Sequence, residues 1–199
     1  MKILIFGANG MLGHKLYQRL GLAFDVFGTI RGTFDAIERF GIFDRKKIIE
    51  NIDVTDETAV INAIEKAKPD VVINAVGIIK QVPSAADRER TIAVNAIFPL
   101  RLEKLSKKYG FRLITIGTDC VFDGTRGNYT EKDLPNAHDL YGMSKFLGEV
   151  GSANCLTLRT SIIGRELGTG HSLVEWFLNN SGGSVKGYKR AIYTGIPTI

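Results

Sequence analysis

The first 75 residues alternate two hydrophobic periods. Lys2–Phe6 (KILIF) is an apolar run ending at Gly7, the pattern of a strand buried on both faces. Leu12, Leu16 and Leu20 then recur four apart within Met11–Leu20, marking one face of a helix. Phe24–Ile30 predicts a second strand. Residues 32–47 are ambiguous, with a short helix around Phe34–Phe40 as one reading, and Ile48–Ile52 predicts a third strand. Over Asp56–Lys68, Ala59, Val60, Ala63, Ile64 and Ala67 form one stripe, which Pro69 ends. Asp70–Ala75 predicts the fourth strand. A helical stretch over about Ala85–Lys108 follows, kinked at Pro99 and stopped by Gly110. Arg112–Ile116 predicts a fifth strand, residues 117–139 a long loop, Leu140–Val150 a helix and Cys155–Arg159 a sixth strand. One amphipathic helix near Ser172–Asn179 precedes a Gly-rich end. Strands alternating with helices imply right-handed crossovers and an α/β fold with a doubly wound parallel sheet of the Rossmann type.

Composition narrows the class. The 199 residues are 44% hydrophobic and 24% charged, with 22 Gly, 5 Pro and 2 Cys, which excludes disordered, collagenous and disulfide-scaffold classes. The apolar runs fall short of the ~20 residues a membrane helix needs. Met1-Lys2 leads into a strand and a glycine turn rather than a secretory h-region, so a cytoplasmic protein with no membrane partner is expected. The net charge of +5 is spread thinly: residues 1–150 hold 21 basic and 19 acidic side chains, and 151–199 hold 5 and 2. Arg45-Lys46-Lys47 has no interleaved aromatics, so no nucleic-acid partner is expected. Cys120 and Cys155 are too far apart for a metal pair, and His14, His138 and His171 lack ligand spacing, so no metal site is expected.

Gly7-Ala-Asn-Gly10-Met11-Leu12-Gly13 joins the first strand to the first helix. Gly7 permits the tight turn, Gly10 a close backbone approach to a pyrophosphate, and Gly13 close helix–sheet packing at a helix N-terminus that favours anions. At the end of the second strand, Thr29-Ile30-Arg31-Gly32 offers no carboxylate for a ribose diol. Arg31 instead suits a 2′-phosphate, which favours NADP over NAD; a solvated loop arginine is the alternative. Asp53-Val54 is placed to meet the adenine, although Asp53 equally suits a helix cap, and Ala75-Val76-Gly77 is small enough for the cofactor to cross.

Tyr141-Gly-Met-Ser-Lys145 puts a phenol and an ammonium on one helix face. A nearby ammonium favours phenolate and brings a tyrosine toward the working pH range. Thr118 lies just past the fifth strand, at the carboxyl edge where parallel sheets bind ligands.

With these residues in view, the sequence resembles the extended short-chain dehydrogenase/reductases, and within them the dTDP-4-dehydrorhamnose reductase family of sugar-nucleotide reductases. The resemblance rests on Gly7–Gly13, Thr118-Asp-Cys-Val-Phe-Asp-Gly124, Tyr129-Thr-Glu131, Tyr141–Lys145 with Gly148-Glu149, and Leu158-Arg-Thr-Ser161. It implies that Thr118 hydrogen-bonds a substrate carbonyl beside Asp119, that Tyr141 donates the proton, and that Lys145 tunes it and holds the nicotinamide ribose. The implied reaction is NAD(P)H-dependent reduction of the 4-keto group of a nucleotide-linked deoxysugar in polysaccharide precursor synthesis. A homodimer is compatible with the family. Gly117 and Cys120 depart from its usual serine and tyrosine, and Cys120 argues against the dehydratases, which carry a glutamate there. A nucleotide-sugar epimerase, or a non-catalytic regulatory subunit of the methionine adenosyltransferase type, is the competing reading. Residues 1–160 are expected to form the NAD(P)-binding domain with the catalytic residues. Residues 161–199 are expected to form a short or truncated substrate lobe; Arg165 and Lys186 within it, and Arg159 just before it, are candidate diphosphate contacts or, equally, surface charges. The ending Tyr193–Ile199 resembles an internal stretch of longer family members.

Overall fold

Lys2–Phe6 forms β1, and its alternating side chains leave through opposite faces into two separate cores. The computed structural model describes residues 1–80, 83–189, 191 and 194–198, giving only the backbone of residues 83 and 84. Met11–Leu20 (α1) returns the chain to Asp25–Thr29 (β2), followed by the short helix Asp35–Glu38 (α2) and the two-residue strand Ile48–Ile49 (β3). Glu57–Ala67 (α3) ends with Lys68 in the left-handed region and leads into Val71–Asn74 (β4). The long helix expected over 85–108 is three pieces. Arg88–Ile92 (α4) runs into a π-helical turn at Ala93–Ile97, then Phe98–Tyr109 (α5). Pro99 stands two residues after the π-helical turn, in the first turn of α5. Gly110 closes α5 at φ 78°, the left-handed cap expected of it.

Arg112–Ile116 (β5), Leu140–Leu147 (α6) and Cys155–Leu158 (β6) complete a six-stranded sheet in the order β3-β2-β1-β4-β5-β6, every neighbouring pair parallel. This is the doubly wound order whose crevice opens between β1 and β4. Ile162–Ile163 (β7) and Ile196–Pro197 (β8) pair as a separate ribbon, with Leu173–Asn179 (α7) between them in sequence. Of the Tyr193–Ile199 stretch, Tyr193 and Ile199 lie outside the described residues.

One face of the sheet packs Leu4, Phe6, Val72 and Leu113 against Val60, Phe98, Leu102 and Phe111 of α3, α5 and the turn after it. Phe6 meets Phe98 edge-on, ring centroids 5.3 Å apart. The other face packs Ile3, Ile5, Val26 and Ile73 under α1 and α2 through Tyr17, Phe34 and Ile37. These covers fix the strand ends, and the strand ends fix the site.

Candidate active site

A cavity of about 270 Å³ opens at the carboxyl edge of β1, β2 and β4. Gly7, Asn9 and Gly10 form its floor, Thr29 and Arg31 one wall, and Ile52, Asp53 and Val54 the next. Ala75, Val76, Gly77 and Ile78 close the far side, with Arg90 and Val94 above. Gly7 sits at φ 81°, where a Cβ would also press on Val76 at 2.9 Å and on the Ala75 carbonyl at 3.2 Å. A Cβ on Gly13 would overlap the Gly7 carbonyl, so this glycine lets α1 start hard against the turn. Met11, Leu12 and Gly13 do not line the cavity; they are the first turn of α1 behind it. That helix start has no side-chain cap, which leaves its first amides to an anionic ligand. Glycine walls, an uncapped helix N-terminus and an arginine at the rim fit a dinucleotide.

Asp53 does not cap α3. Asp56 does, accepting from the Thr58 and Ala59 amides, because it stands immediately before the first helical residue. Burial pushes the Asp53 carboxyl up, but the Thr55 amide and hydroxyl and the Arg90 guanidinium, at 2.8 Å, outweigh it and hold it at about 2. Arg90 was not legible in the sequence, since only the fold of α4 over the sheet edge brings it to Asp53.

The chemistry-bearing residues gather next to this cavity. Thr118 follows β5, is 4% exposed, and caps a short turn by accepting from the Cys120 amide at 3.1 Å. Asp139 caps α6, accepting from the Gly142 amide at 3.0 Å, and so sets the turn that carries Tyr141. Burial pushes the Tyr141 phenol up, the Thr118 hydroxyl opposes this by hydrogen bonding, and Cys120, Asp119 and Asp139 push it further up. Spacing alone predicts a lowered phenol; the structure raises it, because desolvation dominates. Lys145 is aimed elsewhere. Its ammonium donates to the Ile116 carbonyl at 2.7 Å and stands beside Gly77, 3.7 Å from where a Cβ would be. Burial lowers it to about 8, with Glu149 pulling it back up. Asp119 is exposed and accepts from Ser161 at 3.0 Å.

Asn95, on the π-helical turn, joins the two halves. Its carboxamide accepts from the Ile78 amide at 2.9 Å and donates to the Ile78 carbonyl at 3.0 Å and to Ser144 at 3.2 Å. The cavity wall is thereby tied to the helix that carries Tyr141 and Lys145. A single asparagine inside an apolar helical stripe was the only sequence signal for it.

In the tail, Arg159 is held by both Glu149 oxygens at 2.7 and 2.8 Å, and Arg165 pairs with Glu175 at 2.6 Å. Lys186 is exposed. Gly117 is packed: a Cβ there would lie 2.9 Å from the Thr157 methyl and 3.2 Å from the Leu158 carbonyl, so a serine would require both neighbours to shift.

The sheet order, the glycine turn under its carboxyl edge and the Thr118–Tyr141–Lys145 placement together define an extended short-chain dehydrogenase/reductase. Residues 1–183 match the family described as RmlD substrate binding domain, and the chain belongs to that family. A hypothetical dTDP-4-dehydrorhamnose reductase from Sulfolobus tokodaii superposes with a TM-score of 0.69 at 29% identity, over 82% of this chain and 58% of that one. The dTDP-4-dehydrorhamnose reductase of Bacillus anthracis, solved in complex with NADP, superposes with a TM-score of 0.70 at 25% identity, over 89% and 58%. The methionine adenosyltransferase 2 subunit beta of Bos taurus is 38% identical over 72 residues, 36% of this chain and 20% of that protein. The chain thus spans less than two thirds of the length of each of these relatives.

Proposed function

We propose that the protein reduces the 4-keto group of a nucleotide-linked deoxysugar with a nicotinamide cofactor, in the cytoplasmic supply of polysaccharide precursors. The observation that carries this reading is the hydrogen-bonded Thr118–Tyr141 pair, whose helix also carries Lys145 to Gly77 of the glycine-walled cavity. Bound in that cavity, the reduced nicotinamide supplies the hydride. Gly7, Gly10 and the first turn of α1 receive the pyrophosphate, Val54 and Asp53 border the adenine, and Ala75–Gly77 leave room for the nicotinamide half. Arg31, exposed and in no ion pair among the described residues, supports NADP over NAD. Thr118 and Tyr141 point their hydroxyls at one carbonyl oxygen, and Tyr141 delivers the proton. A phenol kept protonated by burial suits an acid in the direction of reduction. Lys145 holds ribose hydroxyls and the strand end. Residues 1–160 serve as the cofactor domain, and 161–199 contribute a partial substrate lobe beside Asp119.

The test is turnover of a panel of nucleotide-linked 4-keto deoxyhexoses with NADPH and NADH. Wild type is expected to consume reduced cofactor, and Tyr141→Phe to lose roughly 10²–10⁴-fold in kcat. A Tyr141→Phe protein with full activity overturns the assignment. The local 38% identity to the beta subunit favours one second reading, a non-catalytic partner of a synthetase. Stoichiometric capture of a methionine adenosyltransferase, with no turnover on any panel member, establishes that reading instead.

A further inference from the structure

Lys80 takes no part in the chemistry above, yet it stands over the tyrosine that does. It ends the segment after β4 that walls the dinucleotide cavity, and its ammonium lies 5.6 Å from the centroid of the Tyr141 ring. The same ammonium is 3.0 Å from an Asp139 oxygen, while the other oxygen of that carboxylate caps α6 through the Gly142 amide. One carboxylate therefore fixes both the turn that carries Tyr141 and the cation above its ring. We propose that Lys80 is a positioning residue: clamped by Asp139, it keeps a positive charge against the Tyr141 ring and so sets the ease with which the phenol gives up its proton.

The groups facing Tyr141 define what that charge must do. Asp119, Cys120 and Asp139 disfavour phenolate, and burial adds to them. Thr118 favours phenolate through one hydrogen bond. Lys145, the cation nominated by helical spacing, spends its hydrogen bond on the Ile116 carbonyl and is itself depressed by burial. Lys80 is thus a cation over the Tyr141 ring, delivered by a different element and held by an ion pair about half exposed on both sides. A cation within about 6 Å of a ring centroid is attracted to the neutral ring, and its attraction to the full charge of a phenolate is larger.

This inference rests on Tyr141 as the acid, but its test reads the phenol directly. The protein is labelled with 13C at the tyrosine ζ carbon, Tyr141→Phe assigns the Tyr141 signal among the six tyrosines, and its chemical shift is followed against pH. In Lys80→Met the Tyr141 midpoint is expected to rise by about 0.5–1 pH unit, and in Lys80→Arg to stay at the wild-type value. Where a panel sugar turns over, Lys80→Met lowers kcat several-fold and moves its alkaline limb to higher pH, leaving KM for cofactor unchanged. An unmoved Tyr141 midpoint in Lys80→Met, or an effect confined to substrate KM, overturns the inference. Absence of turnover in wild type sinks the reductase reading, while the titration still decides the role of Lys80.

Discussion

At the residue scale, Lys145 is a group whose burial costs stability. It is 8% exposed, it donates to the neutral Ile116 carbonyl, and burial brings it down to about 8 from the 10.5 of a free lysine. The folded state therefore binds this proton less readily than the unfolded chain does. Stability must rise as pH climbs from about 8 toward 10.5, and below 8 the full penalty is present. Lys145→Met is accordingly expected to raise stability at pH 7 by on the order of 1–3 kcal/mol, with the gain shrinking as pH approaches 10. Thermal unfolding across that range checks it; a gain independent of pH would show that the ammonium is not what costs. In the proposed reaction the same substitution is expected to abolish turnover, a trade of stability for function. Asp53 behaves in the opposite sense. Held at about 2, it contributes stability above the usual carboxylate pKa that is lost as pH falls from about 4 toward 2.

At the element scale, the turn between β1 and α1 carries the sharpest constraint. Gly13→Ala places a methyl group on the Gly7 carbonyl and 3.0 Å from the Ala8 Cα, backbone atoms that cannot rotate away. It is expected to cost about 1–3 kcal/mol in stability and to weaken NADPH binding by roughly tenfold or more. Titration of cofactor fluorescence checks this, and wild-type affinity in Gly13→Ala would refute the packing argument. This element was legible because glycine spacing has few other uses at a strand-to-helix junction. The stretch over 85–109 was not. Apolar periodicity reads through a π-helical turn as though it were α-helix, so the turn at Ala93–Ile97 inside the helical run leaves no mark in the pattern. The extra residue of the π turn is what turns Asn95 toward Ile78 and Ser144, and Gly148 is kept by the same close approach, since a Cβ there would overlap the Asn95 carbonyl.

At the scale of the whole molecule, the two faces of the sheet are unequally covered. Parallel sheets are ordinarily buried on both sides. Here α1 and α2 cover β3, β2 and β1 on one face, while Leu156 and Leu158 of β6 remain 51% and 43% exposed. An apolar cavity of about 360 Å³ lies under β4, β5 and β6 on that side, lined by Ile3, Val71, Ile73, Ile114 and Leu156, away from Tyr141. Leu156→Lys is therefore expected to change stability by only about 0.5 kcal/mol and to reduce self-association at high concentration. Denaturant unfolding and light scattering check both halves; a loss of several kcal/mol would mean that this face is covered in solution.

Sequence alone determined the alternation of strands and helices and the glycine turn, and it nominated Tyr141 and Lys145 by their spacing on one helix. Each of these follows from local periodicity or from spacing along one element, which a chain encodes without reference to its neighbours. Tertiary structure alone decided which charges meet. Arg90 went to Asp53, Arg159 to Glu149, Asn95 to Ile78 and Ser144, and Lys80 to Asp139 above Tyr141. It also reversed the expected direction for the Tyr141 phenol, because desolvation depends on everything packed around a group and not on the residue four positions away.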